Sequence, residues 1–284
     1  MNIISGKEVA GHISKRVKDR VDELNKQGKR VPKLVIVRVG DRPDDLSYQR
    51  GAIKRMDMVG IAHEELWFEE NVSKEAFYEK FDEINNDDEV DGILVLRPLP
   101  KHFDEERLIR TINQAKDVDA ISPASLGKIM IGDKKGFAPC TAAGVIEILK
   151  YAGVEIGGKK VTIVGRSNVV GRPLALLFIG LDATVTVCHS RTKDVKEACK
   201  NAEILVASCG KARFINKEYV ANGAVVIDVG INLDEEGKLC GDVDTASIEG
   251  IAAACTPVPG GVGAVTTSVL ASHVLCAYEN ALKA

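Results

Sequence analysis

The stretch 161–192 constrains the fold more than any other part of this chain. It reads VTIVGRSNVVGRPLALLFIGLDATVTVCHSRT. The apolar run 161–164 ends at Gly165, a second glycine follows at Gly171, and a segment compatible with a helix leads to a second apolar run at 183–188. A strand, a glycine turn, a helix and a further strand make up half of a dinucleotide-binding fold. The sequence therefore predicts a Rossmann-like unit here.

The glycine turn departs from the usual dinucleotide motif. It spells G-R-S-x-x-x-G, so Ser167 stands where a second glycine would let a pyrophosphate approach the backbone closely. We therefore expect side chains to take part in phosphate binding. Taken alone, Gly165 and Gly171 could form nothing more than a tight turn between strand and helix. The flanking strand and helix, together with nearby basic groups, favour a cofactor site.

The end of the second strand favours NADP over NAD. An NAD site usually places an Asp or Glu there to bind the ribose 2′-hydroxyl group, but residues 189–192 read HSRT and carry no negative charge. Arg166, Ser167, Ser190 and Arg191 would suit a 2′-phosphate instead. NADP is the expected cofactor, and NAD is the alternative.

Length and charge exclude several classes of protein. With 284 residues the chain exceeds the usual size of one domain, so two domains are expected. A formal net charge of −3 argues against a nucleic-acid-binding protein. The seven cysteines form no C-x-x-C pair and suit buried, reduced thiols, and no metal site is expected. No apolar run suits a signal peptide or a membrane span, so we expect a cytoplasmic protein without membrane contact.

Strands and helices are predicted to alternate along both domains. A capping box at Ser5 and Glu8 opens an amphipathic helix, and strands at 33–39, 64–68 and 92–96 alternate with helices at 44–58 and 74–84. This pattern predicts a three-layer α/β domain. A helix at 143–151, strands at 204–207 and 224–229 and a loop at 256–265 complete the nucleotide unit. A last helix, 266–283, should return to the first domain, so the expected division is 1–140 plus 266–284 and 141–265.

Eight sequence blocks, spread from one end of the chain to the other, carry a resemblance. Together they resemble the methylenetetrahydrofolate dehydrogenase/cyclohydrolase family, and several blocks in order are far more specific than any one. The blocks are VGDRPDDLSYQRGAIKRMDMVGI (39–61), DGILVLRPLPKH (91–102), KDVDAISPASLGK (116–128), PCTAAG (139–144), VGRSNVVGRP (164–173), DVGIN (228–232), GDVD (241–244) and TPVPGGVGAVT (256–266).

The resemblance implies two reactions and a set of site residues. Members of that family oxidise 5,10-methylenetetrahydrofolate with NADP and hydrolyse the methenyl product to 10-formyltetrahydrofolate, and they are typically homodimers. By resemblance Tyr48 lines the folate pocket, Asp119 holds the pterin, and the loop 257–263 lies beside the nicotinamide and substrate. In that loop Pro259, Gly260 and Gly261 are the expected substrate contacts. The expected NADP contacts are Gly165, Arg166, Ser167, Gly171, Ser190, Arg191 and Ile231.

Each of these assignments has a purely structural alternative. Tyr48 could be an ordinary core aromatic residue, and Asp119 could cap a turn or a helix. The prolines and glycines of 257–263 could merely shape a turn. The resemblance favours the functional interpretation of all three.

The chain departs from the family pattern at both hydrolytic positions. The family block around Tyr48 reads Y-x-x-x-K, and its lysine is central to hydrolysis, but here that position is Ala52. The family's assisting glutamine is replaced by Leu96. Lys54 lies about 200° around the helix from Ala52. Arg97 should face away from Leu96, because neighbouring strand residues point to opposite sides. Neither is expected to replace the lost groups.

The expected function follows from what each reaction needs. Hydride transfer needs aligned reactants, whereas hydrolysis needs groups that position water and move protons. We therefore expect an NADP-dependent methylenetetrahydrofolate dehydrogenase with weak or absent cyclohydrolase activity, working alongside a separate cyclohydrolase. The alternatives are a fully bifunctional enzyme, another two-domain NADP oxidoreductase such as a shikimate dehydrogenase-like protein, and a non-catalytic folate- or NADP-binding regulator. Ala264, where the family usually has proline, keeps the last alternative open.

Overall fold

Helices and strands alternate along much of residues 1–133 and 135–283, the part of the chain that the computed structural model describes. Within that part, three helices follow one another between residues 105 and 151, and five strands between residues 204 and 255. The helices are α1 (Gly6–Lys26), α2 (Pro43–Val59), α3 (Lys74–Asn86), α4 (Glu105–Thr111), α5 (Pro123–Met130), α6 (Cys140–Tyr151), α7 (Gly171–Ile179), α8 (Val195–Lys200) and α9 (Val262–Ala281). The strands are β1 (Asn2–Ile3), β2 (Lys33–Val39), β3 (Ala62–Phe68), β4 (Gly92–Val95), β5 (Lys160–Val164), β6 (Thr184–Cys188), β7 (Ile204–Ala207), β8 (Val225–Asp228), β9 (Asn232–Leu233), β10 (Leu239–Cys240) and β11 (Ala254–Cys255). Within the described residues no helix is both long and apolar enough to cross a membrane.

The last helix begins earlier than the sequence pattern indicated. We expected 256–265 to be a loop, whereas α9 begins at Val262. The amide of Ala264 donates a hydrogen bond to the carbonyl oxygen of Gly261 at 3.0 Å, and Val262 and Val265 are both buried. Burial of these two valines outweighs the poor helix propensity of Gly263, so the non-helical loop is shorter than expected.

One compact unit contains a six-stranded sheet. It comprises Met1–Ala10 and Thr141–Thr266, and its strand order is β1-β11-β8-β7-β5-β6, with every pairing parallel. Strand β5 lies between β6 and β7, and Val164 at its end is aligned with Cys188 and Ala207. The carboxyl ends of these three strands therefore meet at one edge. This is the expected Rossmann-like architecture.

The first ten residues belong to this unit and not to the first domain in which we expected them. Asn2 is aligned with Ala254 and Ile3 with Cys255, so β1 adds a parallel strand to the edge of the six-stranded sheet. A two-residue strand leaves almost no periodic signal in the sequence. Its backbone hydrogen bonds with a partner some 250 residues away decide its place.

The second unit has a three-stranded parallel sheet with helices on both faces. It comprises Gly11–Cys140 and Thr267–Ala284, and its strand order is β3-β2-β4. On one face, Val37 and Ile93 pack with Phe77 of α3 in a buried cluster. On the opposite face, a Cβ added at Gly92 would contact Val274 of α9 at 3.0 Å. The three-layer expectation is confirmed.

The carboxyl-terminal part of α9 packs on this same unit, as expected. Arg20 of α1 donates to Glu279 at 2.6 Å, and the guanidinium group of Arg30 lies 4.7 Å from the ring centre of Tyr278. Tyr278 is only 2% exposed. Because the helix supplies core side chains to a sheet far from it in sequence, it completes the first domain.

Candidate active site

The glycine turn after β5 is closely packed. Gly165 has a φ of +138°, and a Cβ at this position would overlap the carbonyl oxygen of Ser208. A Cβ at Gly171 would overlap the backbone of Gly165. The hydroxyl oxygen of Ser167 accepts a hydrogen bond from the amide of Val170 at 3.1 Å, which fixes the turn ahead of α7. Both glycines are therefore sterically required, because this turn lies directly against β7 and the start of α7.

A cavity of about 420 Å³, here called the β5–β6 cavity, lies at the carboxyl ends of β5, β6 and β7. Among the described residues that line it, none is an Asp or a Glu. Arg191 is exposed beside it, and its amide donates to Nδ1 of His189 at 3.1 Å. The structure thus brings together, from two separate turns, four of the residues expected to bind the cofactor. The lining includes Gly165, Arg166, Ser167, His189, Ser190, Thr192, Ser208, Cys209, Lys211 and Phe214.

A second cavity, of about 290 Å³, contains the proline and glycine residues singled out by the sequence. We call it the proline–glycine cavity; Ile231, Pro259, Gly260 and Gly261 line it. Its walls are mostly apolar. Lys7 of α1 also lines it, a residue that the sequence analysis missed because its place depends on the pairing of β1 with β11.

Asp228, at the end of β8, is a buried carboxyl group beside the proline–glycine cavity. It is 2% exposed, and its Oδ1 accepts hydrogen bonds from the amides of Gly230 and Asp242, each at 2.9 Å. Its Oδ2 accepts from the amide of Val243 at 2.9 Å. Burial raises the pKa of Asp228 to about 6, because desolvation outweighs the effect of these three N–H groups, which lower it.

This raised pKa predicts a pH dependence of stability. The folded protein holds the Asp228 proton more tightly than the unfolded chain does, so the stabilisation is complete below the unfolded value of 3.8 and is lost as pH rises through about 6. Relative to Asp228→Asn, the wild type should lose about 2 kcal/mol of unfolding free energy between about pH 4 and 6.5. Urea unfolding of both proteins, followed by circular dichroism across this range, measures the difference. A difference that stays constant with pH would contradict the assignment.

Tyr48 and Ala52 lie one turn apart on α2. Pro43 begins this helix and Gly60, with φ +76°, ends it. Tyr48 is half-buried, and Ala52 is fully buried on the inner face of the helix. Lys54 is exposed, as the helical geometry predicts. A polar group at position 52 would therefore be buried. Lys54, two residues further along the helix, faces solvent instead.

Leu96 follows β4 directly and is also buried. Its amide donates to the carbonyl oxygen of Val37 at 2.9 Å, which extends the pairing of β4 with β2 by one residue, and it is 6% exposed. The guanidinium group of Arg97 lies 3.9 Å from a carboxylate oxygen of Glu105. Ala52 and Leu96, the two positions that the sequence resemblance singled out, are thus both buried apolar side chains.

Asp119 is half-buried and lies at the start of α6. Its Oδ1 accepts a hydrogen bond from the amide of Cys140 at 2.9 Å. Burial raises the pKa of Asp119, and it raises that of the neighbouring Cys140 thiol well above its ordinary value. Asp119 therefore does have the structural role of a helix cap. A carboxylate has about four acceptor sites, so its contacts with Cys140 are compatible with binding a ligand as well.

Comparisons with known proteins identify both halves of the chain. The model of the tetrahydrofolate dehydrogenase/cyclohydrolase catalytic domain matches residues 4–119, and the model of the NAD(P)-binding domain of the same enzymes matches residues 139–282. The chain is 50% identical over 280 residues to the bifunctional protein FolD of Clostridioides difficile. The aligned region covers 98% of this chain and 97% of that protein.

Solved structures of two related enzymes superpose on nearly the whole of this chain. The bifunctional FolD enzyme of Campylobacter jejuni superposes with a TM-score of 0.95 at 34% identity, covering 99% of each chain. The dehydrogenase-cyclohydrolase of Trypanosoma brucei was solved with NADP cofactor and an inhibitor. It superposes with a TM-score of 0.93 at 34% identity, and the match covers 99% of this chain and 98% of that one. With both domains matched in order, this chain belongs to the tetrahydrofolate dehydrogenase/cyclohydrolase family.

Proposed function

We propose that this protein is an NADP-dependent methylenetetrahydrofolate dehydrogenase in which hydrolysis of the methenyl product is weak or absent. The observation that carries the proposal is the pair Ala52 and Leu96, 0% and 6% exposed, at the two positions where the family pattern has a lysine and a glutamine. The glycine turn and the basic β5–β6 cavity, by contrast, match what the cofactor requires. The machinery for one reaction is present and the proton-transfer groups for the other are replaced.

The residues of the β5–β6 cavity suit NADP. In this proposal Arg166, Ser190 and Arg191 bind the 2′-phosphate, because guanidinium groups and hydroxyls form charge-assisted hydrogen bonds with phosphate oxygens. Gly165 lets the cofactor backbone approach the turn. NADP, when bound, accepts the hydride from the substrate. Met1–Ala10 with Thr141–Thr266 then form the cofactor domain.

The folate substrate is assigned to Tyr48, Asp119 and the loop 257–263. Tyr48 offers a half-buried aromatic ring to the ring system of the substrate, and the Asp119 carboxylate accepts hydrogen bonds from N–H groups of the pterin. The mostly apolar wall that carries Pro259, Gly260 and Gly261 limits the access of water to the reacting carbon. Each of these roles is supported by the family resemblance; Tyr48 and Asp119 are half-buried, and Pro259, Gly260 and Gly261 line the proline–glycine cavity.

The chemistry explains how one reaction can persist without the other. Hydride leaves a carbon between two folate nitrogens, and the resulting cation is spread over the N–C–N unit, so alignment of the reactants is the main requirement. Hydrolysis of that cation needs water to be positioned and deprotonated. A positioned acid–base group contributes about a hundredfold or more to such a step. An alanine and a leucine supply no such group.

Both reactions should be measured on one preparation of the purified chain. We expect NADPH to form when methylenetetrahydrofolate and NADP are supplied. We expect methenyltetrahydrofolate to decay at least about a hundredfold more slowly than the dehydrogenase turns over. A sample without enzyme gives the spontaneous rate of hydrolysis, which must be subtracted. Comparable rates for the two reactions would refute the proposed loss.

A fully bifunctional enzyme is the second candidate function. Relatives that are 50% and 48% identical to this chain carry the name bifunctional protein, which favours this candidate, and the assay above separates the two. If enzymatic hydrolysis is absent here, we expect a separate cyclohydrolase to consume the methenyl product faster than it hydrolyses spontaneously.

We also infer that the protein forms homodimers. In the sheet order β3-β2-β4, strand β3 is at an edge, and Trp67 on that strand is 47% exposed. An exposed edge strand with an aromatic side chain is suited to pairing with a second copy. Light scattering of the purified chain at micromolar concentration measures its mass, and a monomer would contradict the inference.

A further inference from the structure

A buried carboxylate that is not among the expected site residues holds the loop that follows β7. Asp242 is 0% exposed. Its Oδ2 accepts hydrogen bonds from the amides of Cys209 at 2.6 Å and Gly210 at 3.0 Å. Its Oδ1 accepts from the amide of Lys211 at 2.8 Å and from the side chain of Asn232 at 2.9 Å. Burying a carboxylate is unfavourable unless donors satisfy it, and four N–H groups do so here.

The same carboxylate is packed against the other cavity. A Cβ at Gly230 would overlap the Asp242 carboxylate, so only glycine fits there. Gly230 and Ile231 line the proline–glycine cavity, and Asn232 follows them. Asp242 therefore contacts residues of both cavities: it accepts hydrogen bonds from the loop 208–211 on one side and packs against Gly230 on the other. These contacts restrict the movement of the loop.

Lys211 is the charged residue of this loop that lines the β5–β6 cavity, beside Ser208 and Cys209. It lines the cavity together with Arg166, and its ammonium group lies 5.2 Å from the ring centre of Phe214, which also lines it. A cation over an aromatic face is held in place without losing its charge. Lys211 therefore adds a second positive charge to that of Arg166 in the lining of this cavity. None of the described residues that line it is an Asp or a Glu.

We propose that Lys211 binds the 2′-phosphate of NADP and that Asp242 is the positioning residue that fixes Lys211 for this contact. The proposal rests on the proposed function, since it takes the β5–β6 cavity as the cofactor site. An ammonium group and a phosphate attract each other strongly where few other charges compete. NAD has a hydroxyl in place of that phosphate, so Lys211 should distinguish the two cofactors.

Calorimetric titration of the purified full-length chain with NADP and with NAD, in the absence of folate, tests the role of Lys211. Lys211→Ala should weaken NADP binding about tenfold or more and change NAD binding by less than about twofold. The matched control is Lys217→Ala, an exposed lysine of the same unit that does not line the cavity; it should change neither. Equal weakening of both cofactors, or no change, overturns the proposal.

The outcome also separates this proposal from the assignment of the cofactor. If the wild type does not bind NADP more tightly than NAD, the cofactor assignment fails and the role of Lys211 fails with it. If the wild type prefers NADP and Lys211→Ala keeps that preference, only the role of Lys211 is overturned. Lys211→Arg retains the charge and should retain most of the preference.

Asp242→Asn tests the positioning role. An amide cannot accept hydrogen bonds from all four N–H groups, so the loop should become more mobile. The preference for NADP, given as the Kd for NAD divided by the Kd for NADP, should then fall severalfold. In the Lys211→Ala background the same substitution should change that ratio much less, because the two residues act through one contact. A purely structural role would lower the melting temperature yet leave the ratio unchanged, which would overturn the positioning role. If Asp242→Asn does not fold, Lys211→Ala and Lys211→Arg still decide the proposal.

Discussion

Replacing Ala52 with lysine and Leu96 with glutamine in the same chain should raise methenyltetrahydrofolate hydrolysis by about a hundredfold or more. Both positions are buried, so the new lysine would be desolvated and its pKa lowered toward the range in which an amine takes up a proton near neutral pH. The glutamine would supply a hydrogen-bonding partner. Decay of the methenyl substrate, corrected for the spontaneous rate, measures the gain.

The matched control for this experiment is Ala52→Met with Leu96→Gln. Methionine adds a long side chain at position 52 without an amine, so steric effects are separated from proton transfer. NADP-dependent oxidation and circular dichroism show whether each variant is folded. A lysine variant that is folded and oxidises its substrate, but hydrolyses no faster than the methionine variant, would contradict our account of these two positions.

Removing Arg166 and Arg191 together should lower the preference for NADP over NAD by about a hundredfold or more. Each guanidinium group can form charge-assisted hydrogen bonds with the 2′-phosphate, worth about 1.5–3 kcal/mol apiece, while NAD offers no such partner. The values of kcat/KM for the two cofactors, measured at one ionic strength, give the preference. Because the contacts are electrostatic, the loss should be largest at low salt.

Arg172→Ala is the control for the arginine experiment. Arg172 is exposed on α7, one residue after Gly171, and does not line the β5–β6 cavity. Its removal changes the net charge near the site without touching the proposed phosphate contacts. Equal losses with NADP and NAD in the double variant would show that the arginines do not select the cofactor.

Much of the cofactor site was accessible from the sequence because its parts are close together along the chain. A buried strand, a glycine turn and a helix follow one another within about twenty residues, and each has a local signature. Gly165, Arg166 and Ser167 all lie on one turn, so predicting the turn places all three. Ser190 belongs to the end of the next strand, whose parallel pairing with β5 brings it to the same edge.

The carboxylate of Asp242 shows what such local signals leave out. The block GDVD was visible in the sequence, but nothing in it indicates that Asp242 accepts amides from residues more than thirty positions earlier. Lys211 is likewise an ordinary lysine in the sequence. Only the folded loop places it beside Arg166.

The amino-acid sequence by itself determined most of the longer strands and helices, the glycine turn and the presence of apolar residues at Ala52 and Leu96. These features depend on residue type and on short-range periodicity, which no distant part of the chain can alter. Only the tertiary structure decided that β1 joins the six-stranded sheet and that α9 begins at Val262. Backbone pairing and side-chain burial between segments distant in sequence are favourable only once the chain has folded, so local patterns cannot reveal them.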